Sequence, residues 1–236
     1  MEYSEQDKKK VLQRIANILL LNGGFLGNPG LYTGEMGLVL FFARYARFTQ
    51  NNLFTEYSID LIEKIQHSIH QNTAINYNDG LAGIGATIEY LVQNKYFEAD
   101  TDEVLEDFDK LIFFTYNLSH LQIDEIIGVK YYANWRLSGQ STKKDTIQRI
   151  IVSQIENIMH ERSVNLNQSH LINKTIPAVF TKTFDHFFDF IVNDNLWRTN
   201  LGLLNGLAGW GLSLLTDLDR DDSWYFLLPN ILKITL

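Results

Sequence analysis

The chain has 236 residues, a formal net charge of −8, 45% hydrophobic residues, three prolines and no cysteine. That is enough apolar content for a sizeable core, and a mixed acidic surface argues against a nucleic-acid or anionic-membrane partner. With no thiol in the chain, disulfides, thiolate–zinc sites and cysteine nucleophiles are excluded. The acidic start Met1-Glu2-Tyr3-Ser4-Glu5 does not suit a secretory signal, and no apolar run is long enough for a membrane span, so a cytoplasmic protein is expected.

Apolar positions at Val11, Ile15, Ile18 and Leu19 predict a first helix over about Ser4–Leu21, stopped by Asn22-Gly23-Gly24. The loop Gly27–Thr33 then leads into Gly34-Glu35-Met36-Gly37 and a helix to about Phe48. That helix is apolar almost all round and should be buried. The next helix, about Leu53–His70, is amphipathic, with Ile59, Ile62, Ile65 and Ile69 on one stripe. A second phrase, Gly80-Leu81-Ala82-Gly83, begins 46 residues after the first and opens another apolar helix, about Ile84–Val92. Its amphipathic partner is expected at about Asp102–Leu118, with Val104, Leu105, Phe108, Leu111 and Ile112 inward. Asp124-Glu125-Ile126-Ile127-Gly128 reads as an eroded third copy before an inner helix at Val129–Leu137. An outer helix at Thr142–Glu161 follows, with Ile147, Ile150, Ile151, Ile155 and Ile158 inward. A fourth unit, Thr175–Val192, lacks the glycines. The phrase returns as Gly206-Leu207-Ala208-Gly209 and opens a helix to about Leu218; Trp224–Leu236 is an apolar segment suited to closing against the first helix.

Repetition at this period predicts an all-α architecture of stacked hairpins, inner helices buried and outer helices amphipathic. Each phrase puts glycine where the chain turns into an inner helix. The loops before those helices are where a site would form: Tyr32, Thr33 and Glu35; Tyr77, Asn78 and Asp79; Asp124 and Glu125; Asn205 and Trp210. Tyr131, Tyr132 and Trp135 could add an aromatic wall. Aromatics beside a few carboxylates suit a peptide or sugar groove. Helix N-termini beneath the loops would favour an anionic group. The same acids could equally be helix caps.

The phrases resemble the lanthionine synthetase C-like family. Gly30–Gly37 is similar to the family's opening repeat, Asn78–Gly85 to an internal one, and Leu203–Leu215 to the closing one. The resemblance implies an α/α toroid, here a contracted or incomplete ring forming one domain over residues 1–236. Active members hold zinc with two cysteines and a histidine, and the zinc activates a peptide thiol for addition to a dehydrated residue. Where a Cys-His-Gly would stand, this chain reads Leu204-Asn205-Gly206. The implied role is therefore binding of a peptide, or of a peptide-modifying enzyme, with no metal or other cofactor and no thioether chemistry. The candidate cleft residues are Tyr32, Glu35, Tyr77, Asp79, Asp124, Trp135, Asn205 and Trp210. The alternative is a carbohydrate-active α/α barrel, with Glu35 and Asp79 as general acid and base.

Overall fold

The computed structural model describes residues 4–115, 117–162 and 200–228. Among these there is no strand, and no helix is long and apolar enough to cross a membrane. The expected helix at Thr175–Val192 and the end of the closing segment lie outside the described residues. Two compact units divide the chain, one formed by both ends and one by the middle.

The first unit holds α1 (Glu5–Asn22), α2 (Glu35–Thr49), α3 (Asn52–Ser68) and, from the far end of the sequence, the helix Leu207–Asp219 with a 3-10 turn Ser223–Leu227. Ser4 caps α1 by accepting from the Asp7 amide. The buried stripe of α1 is Val11, Leu12, Ile15, Ala16, Ile18 and Leu19, the face the periodicity predicts. α2 is buried over almost its whole length, from Glu35 to Ala46. α2 and α3 form an antiparallel hairpin: Tyr45 meets Phe54, Phe42 meets Tyr57, and Glu35 meets Lys64.

The second unit contains α4 (Leu81–Gln93), short turns α5 (Thr101–Val104) and α6 (Glu106–Asp109), α7 (Ile123–Ser138), α8 (Lys144–Ile150) and α9 (Glu156–Glu161). With these numbered, the helix Leu207–Asp219 of the first unit is α10. The single amphipathic helix expected at Asp102–Leu118 is instead broken into α5, α6, a π-helical stretch Lys110–Thr115 and a 3-10 turn Leu118–His120. The break has a chemical reason: Thr101 and Asp109 are buried and bonded to Arg136, so this segment serves a polar cluster as well as an apolar stripe. α7 begins six residues earlier than expected, because Gln122 and Glu125 form a reciprocal capping box. The outer helix after it contains a π-helical stretch at Ile151–Ile155 between α8 and α9, with Ile147, Ile150, Ile151 and Ile155 buried.

In each unit a phrase helix lies beside a parallel neighbour. Along α2 and α10, Gly37 abuts Leu203, Gly211 abuts the Phe41 ring, and Arg44 reaches Thr216 and Asp219. Along α4 and α7, Gly85 abuts the Tyr132 ring, Glu89 pairs with Arg136, and Gln93 donates to the Trp135 carbonyl. Gly85 and Gly211 occupy the same place in their phrases, and each leaves room for an aromatic ring of the adjacent helix. α1 runs antiparallel to α10, with Ile15 near Gly211 and Lys8 paired to Asp217 at 2.5 Å.

Candidate functional site

The three phrases fold into one loop design. The first helical amide donates to a carbonyl seven residues back at the same 2.8 Å in each: Glu35 to Asn28, Leu81 to Ala74, Leu207 to Asn200. The next amide repeats the step, Met36 to Pro29, Ala82 to Ile75 and Ala208 to Leu201, at 3.1–3.3 Å. The loop thus wraps over the helix N-terminus and satisfies with main-chain oxygens the amides a helix leaves orphaned. The two leading amides of each phrase helix are thus already engaged, and the anionic group in the first turn of α2 is the chain's own Glu35 carboxylate.

The first glycine of each phrase is the N-cap, and its backbone is extended: φ/ψ is −120/−165 at Gly34, −120/−171 at Gly80 and −134/175 at Gly206. Any residue can adopt those angles. Glycine is required for space: a Cβ on Gly34 would stand 2.7 Å from Gly30 O, on Gly80 2.7 Å from Asn76 O, and on Gly206 2.8 Å from Asn200 O. Asn28 and Asn200 stiffen two of the loops alike, each side chain accepting an amide two residues on at 2.9 Å.

In the first unit the opening and closing loops touch. The Leu204 amide donates to the Tyr32 carbonyl at 2.8 Å, and Gly202 packs against Tyr32 and Thr33. Tyr32 and Glu35 are buried, at 4% and 3% exposure, so neither meets solvent. Glu35 instead receives the Lys64 ammonium at 2.5 Å, and Lys64 also donates to the Gly24 carbonyl at 2.6 Å. Glu35 therefore ties α2 to α3 and the turn before the loop. As a buried, paired carboxylate it gives no support to an acid–base role in a carbohydrate-active site. Asn205 is exposed and Trp210 half-buried. Asn205 has φ +53, a left-handed conformation that asparagine tolerates better than most residues.

In the second unit the loop 74–80 approaches α7 at Gly128, where a Cβ would stand 3.0 Å from the Tyr77 amide nitrogen. Tyr77 is buried, its ring 5.7 Å from that of Tyr131. Asp79 is half-buried, its amide held by Asn76 at 2.9 Å; Asp124 is exposed in the first turn of α7. Trp135 is not with them. It lies eleven residues along α7, about 16 Å at the helical rise, edge-on to Tyr90. Tyr132 forms no wall; it is fully buried and donates to Asp109 at 2.7 Å.

That bond belongs to an ionic cluster the sequence did not reveal. Arg136, fully buried, faces three carboxylates: Glu89, Asp109 at 2.8 Å and Asp102 at 2.6 Å. Thr101 and Gln93 bond into the same cluster, through Arg136 and Glu89. Burial works against the Asp102 charge, but hydrogen bonds from Ser141, from the Thr142 hydroxyl and amide, and from Arg136 outweigh it and hold the carboxyl far below its usual range. Burial, with the adjacent Asp109 charge, pushes the Tyr132 phenol well up. The first unit has a counterpart: Arg44, 1% exposed, grips Asp219 at 3.0–3.1 Å and the Asp221 carbonyl at 2.6 Å. Each arginine sits toward the C-terminal ends of a parallel helix pair, where two negative dipole ends lie side by side. Neither was foreseeable, because a lone arginine in a helix gives no periodic signal.

Among the described residues no group of three or more His, Cys, Asp or Glu side chains could hold a metal ion. No curated protein matches the chain. A family model, that of the lanthionine synthetase C-like protein, matches residues 26–171, more than half the sequence and two of the three phrases. The third phrase lies beyond the match but repeats the loop geometry of the first two. With its all-α, α/α-toroid class of fold, its glycine-capped inner helices and this match, the chain belongs to the lanthionine synthetase C-like family.

Proposed function

We propose that this chain serves the maturation of a peptide natural product as a single-domain cytoplasmic binding protein, engaging the peptide or an enzyme that modifies it, without forming the thioether itself. The observation carrying this reading is the pairing of family membership with a sequence devoid of cysteine. A thiolate–metal centre is the family's means of activating a peptide thiol, and this chain has no residue able to supply the thiolate. What remains is the loop framework. Among its accessible groups are Asn205 and half-buried Trp210 in the first unit, and Asn78 and Asp124 with half-buried Asp79 in the second. Such groups can orient a peptide by hydrogen bonding while Trp210 supplies apolar area. Buried Tyr32, Glu35 and Tyr77 act on this reading by shaping the loops.

The test is fluorescence anisotropy with labelled peptides carrying a cysteine and a dehydroalanine. The parent chain should bind saturably and leave the peptide mass and free thiol unchanged. Asn205→Ala with Trp210→Ala should weaken binding at least tenfold while Tm moves only a few degrees. Loss of the free thiol, or no binding by any peptide of the panel, overturns the reading.

A further inference from the structure

The family's zinc and this chain's residues do not fit each other, and the structure shows what the closing loop does instead. We infer that the loop 200–206 is a main-chain clasp between the first and last phrases and takes no part in binding a metal. Four observations carry this. The segment Asn200-Leu201-Gly202-Leu203-Leu204-Asn205-Gly206 contains no Cys, His, Asp or Glu. Its backbone is engaged at both ends, Leu204 N to Tyr32 O at 2.8 Å and Leu207 N to Asn200 O at 2.8 Å. Gly202 lies so close to the opening loop that a Cβ would stand 2.7 Å from Tyr32 O. The acid nearest in sequence to the opening loop, Glu35, is held by Lys64 at 2.5 Å and so is not a spare ligand.

Asn205 marks the substitution of role. In the family pattern its position would carry the histidine; here it carries a residue suited to φ +53 and a side chain exposed to water. Besides presenting an exposed side chain, it serves the backbone: it lets the chain turn from Leu204, fixed on Tyr32, into the N-cap Gly206.

Two measurements on the full chain test the inference without any peptide. Protein purified without chelators is assayed for zinc, and its melting is recorded with excess zinc chloride and with EDTA. A site filled at a hundredfold over its Kd would raise Tm by roughly 5–10 °C in a chain of this size. The expected result is zinc well below one per chain and curves within about 1 °C of each other. One tightly held zinc per chain, or a melting point several degrees lower in EDTA, overturns the inference. The second measurement compares Asn205→Gly with Asn205→Val. Glycine should leave Tm within about 2 °C, whereas valine, strained in a left-handed turn, should lower it by roughly 2–8 °C. Equal losses in both variants would mean that the side chain, not the turn, holds the loop, and would also overturn it. Failure of peptide binding leaves both readouts unaffected.

Discussion

Gly80→Ala is the sharpest test of why the phrase contains glycine. The added methyl would stand 2.7 Å from Asn76 O and closer still to Ala74 O, both main-chain atoms of the wrapping loop. The loop can yield only by withdrawing from the helix end. That breaks Leu81 N–Ala74 O at 2.8 Å and Ala82 N–Ile75 O at 3.3 Å. Leu81 and Ala82 are fully buried, so water does not replace those partners. Two buried amides left unsatisfied cost about 1–3 kcal/mol each, against about 0.4–1 kcal/mol recovered from a less flexible unfolded chain. The net loss is about 1–6 kcal/mol, or a Tm lower by roughly 2–22 °C. Thermal and urea unfolding followed by circular dichroism measure it, with Gly24→Ala as the control, because nothing lies within 4 Å of a Cβ there. A Gly80→Ala protein as stable as the control would refute the packing argument and leave the phrase without a physical reason.

Arg136→Met should destabilise the protein by about 3–5 kcal/mol in urea, because it strands three carboxylates around a buried apolar side chain; a loss under about 1 kcal/mol would show the cluster to be solvated. Asp102 has a folded pKa below its unfolded value near 3.9, so its contribution is complete above about pH 5 and fades as pH falls below about 4. Asp102→Asn should thus lower the urea midpoint at pH 7 and make it less sensitive to pH between about 5 and 3; parallel curves for variant and parent would contradict this. Trp224 is fully buried and donates to Thr216 at 2.9 Å, so Trp224→Ala should cost about 3–5 kcal/mol by calorimetry. An unchanged melting temperature would mean that the 3-10 turn is not part of the first unit's core.

The helical framework was legible because burial leaves a period in the sequence. α1, α2, α3 and α10 lie within one to three residues of their expected bounds, each marked by an apolar stripe or by glycine at its start. The sequence also located the loops. It could not distinguish which loop side chains point outward: Tyr32 and Glu35 read as accessible cleft residues and are buried, while Asn205 is exposed. The segment after α4 was misread for a related cause. Asp102 and Asp109 fall on the polar positions of an amphipathic pattern, yet they turn inward to an arginine some thirty residues away, and hydropathy has no sign for a buried charge whose partner is remote. Trp135 was grouped with the loops by its residue type, though its distance from the start of α7 sets it at the other end of the helix.

The wrapping loops have a consequence for how this protein can change. Each is closed mainly by backbone carbonyls and amides, with an asparagine side chain (Asn28, Asn76 or Asn200) accepting one loop amide and a missing methyl at the helix cap. The exposed rim side chains Asn78 and Asn205 lie outside that closure, beyond a turn preference at Asn205, whereas Thr33 belongs to it by accepting a hydrogen bond from Asn28 at 2.7 Å. A surface built this way can be rewritten at low structural risk. Randomising Asn78 and other outward positions while holding Gly34, Gly80, Gly206, Asn28, Asn76 and Asn200 fixed should yield mostly folded variants, which makes the scaffold a suitable frame for selecting new binding specificities.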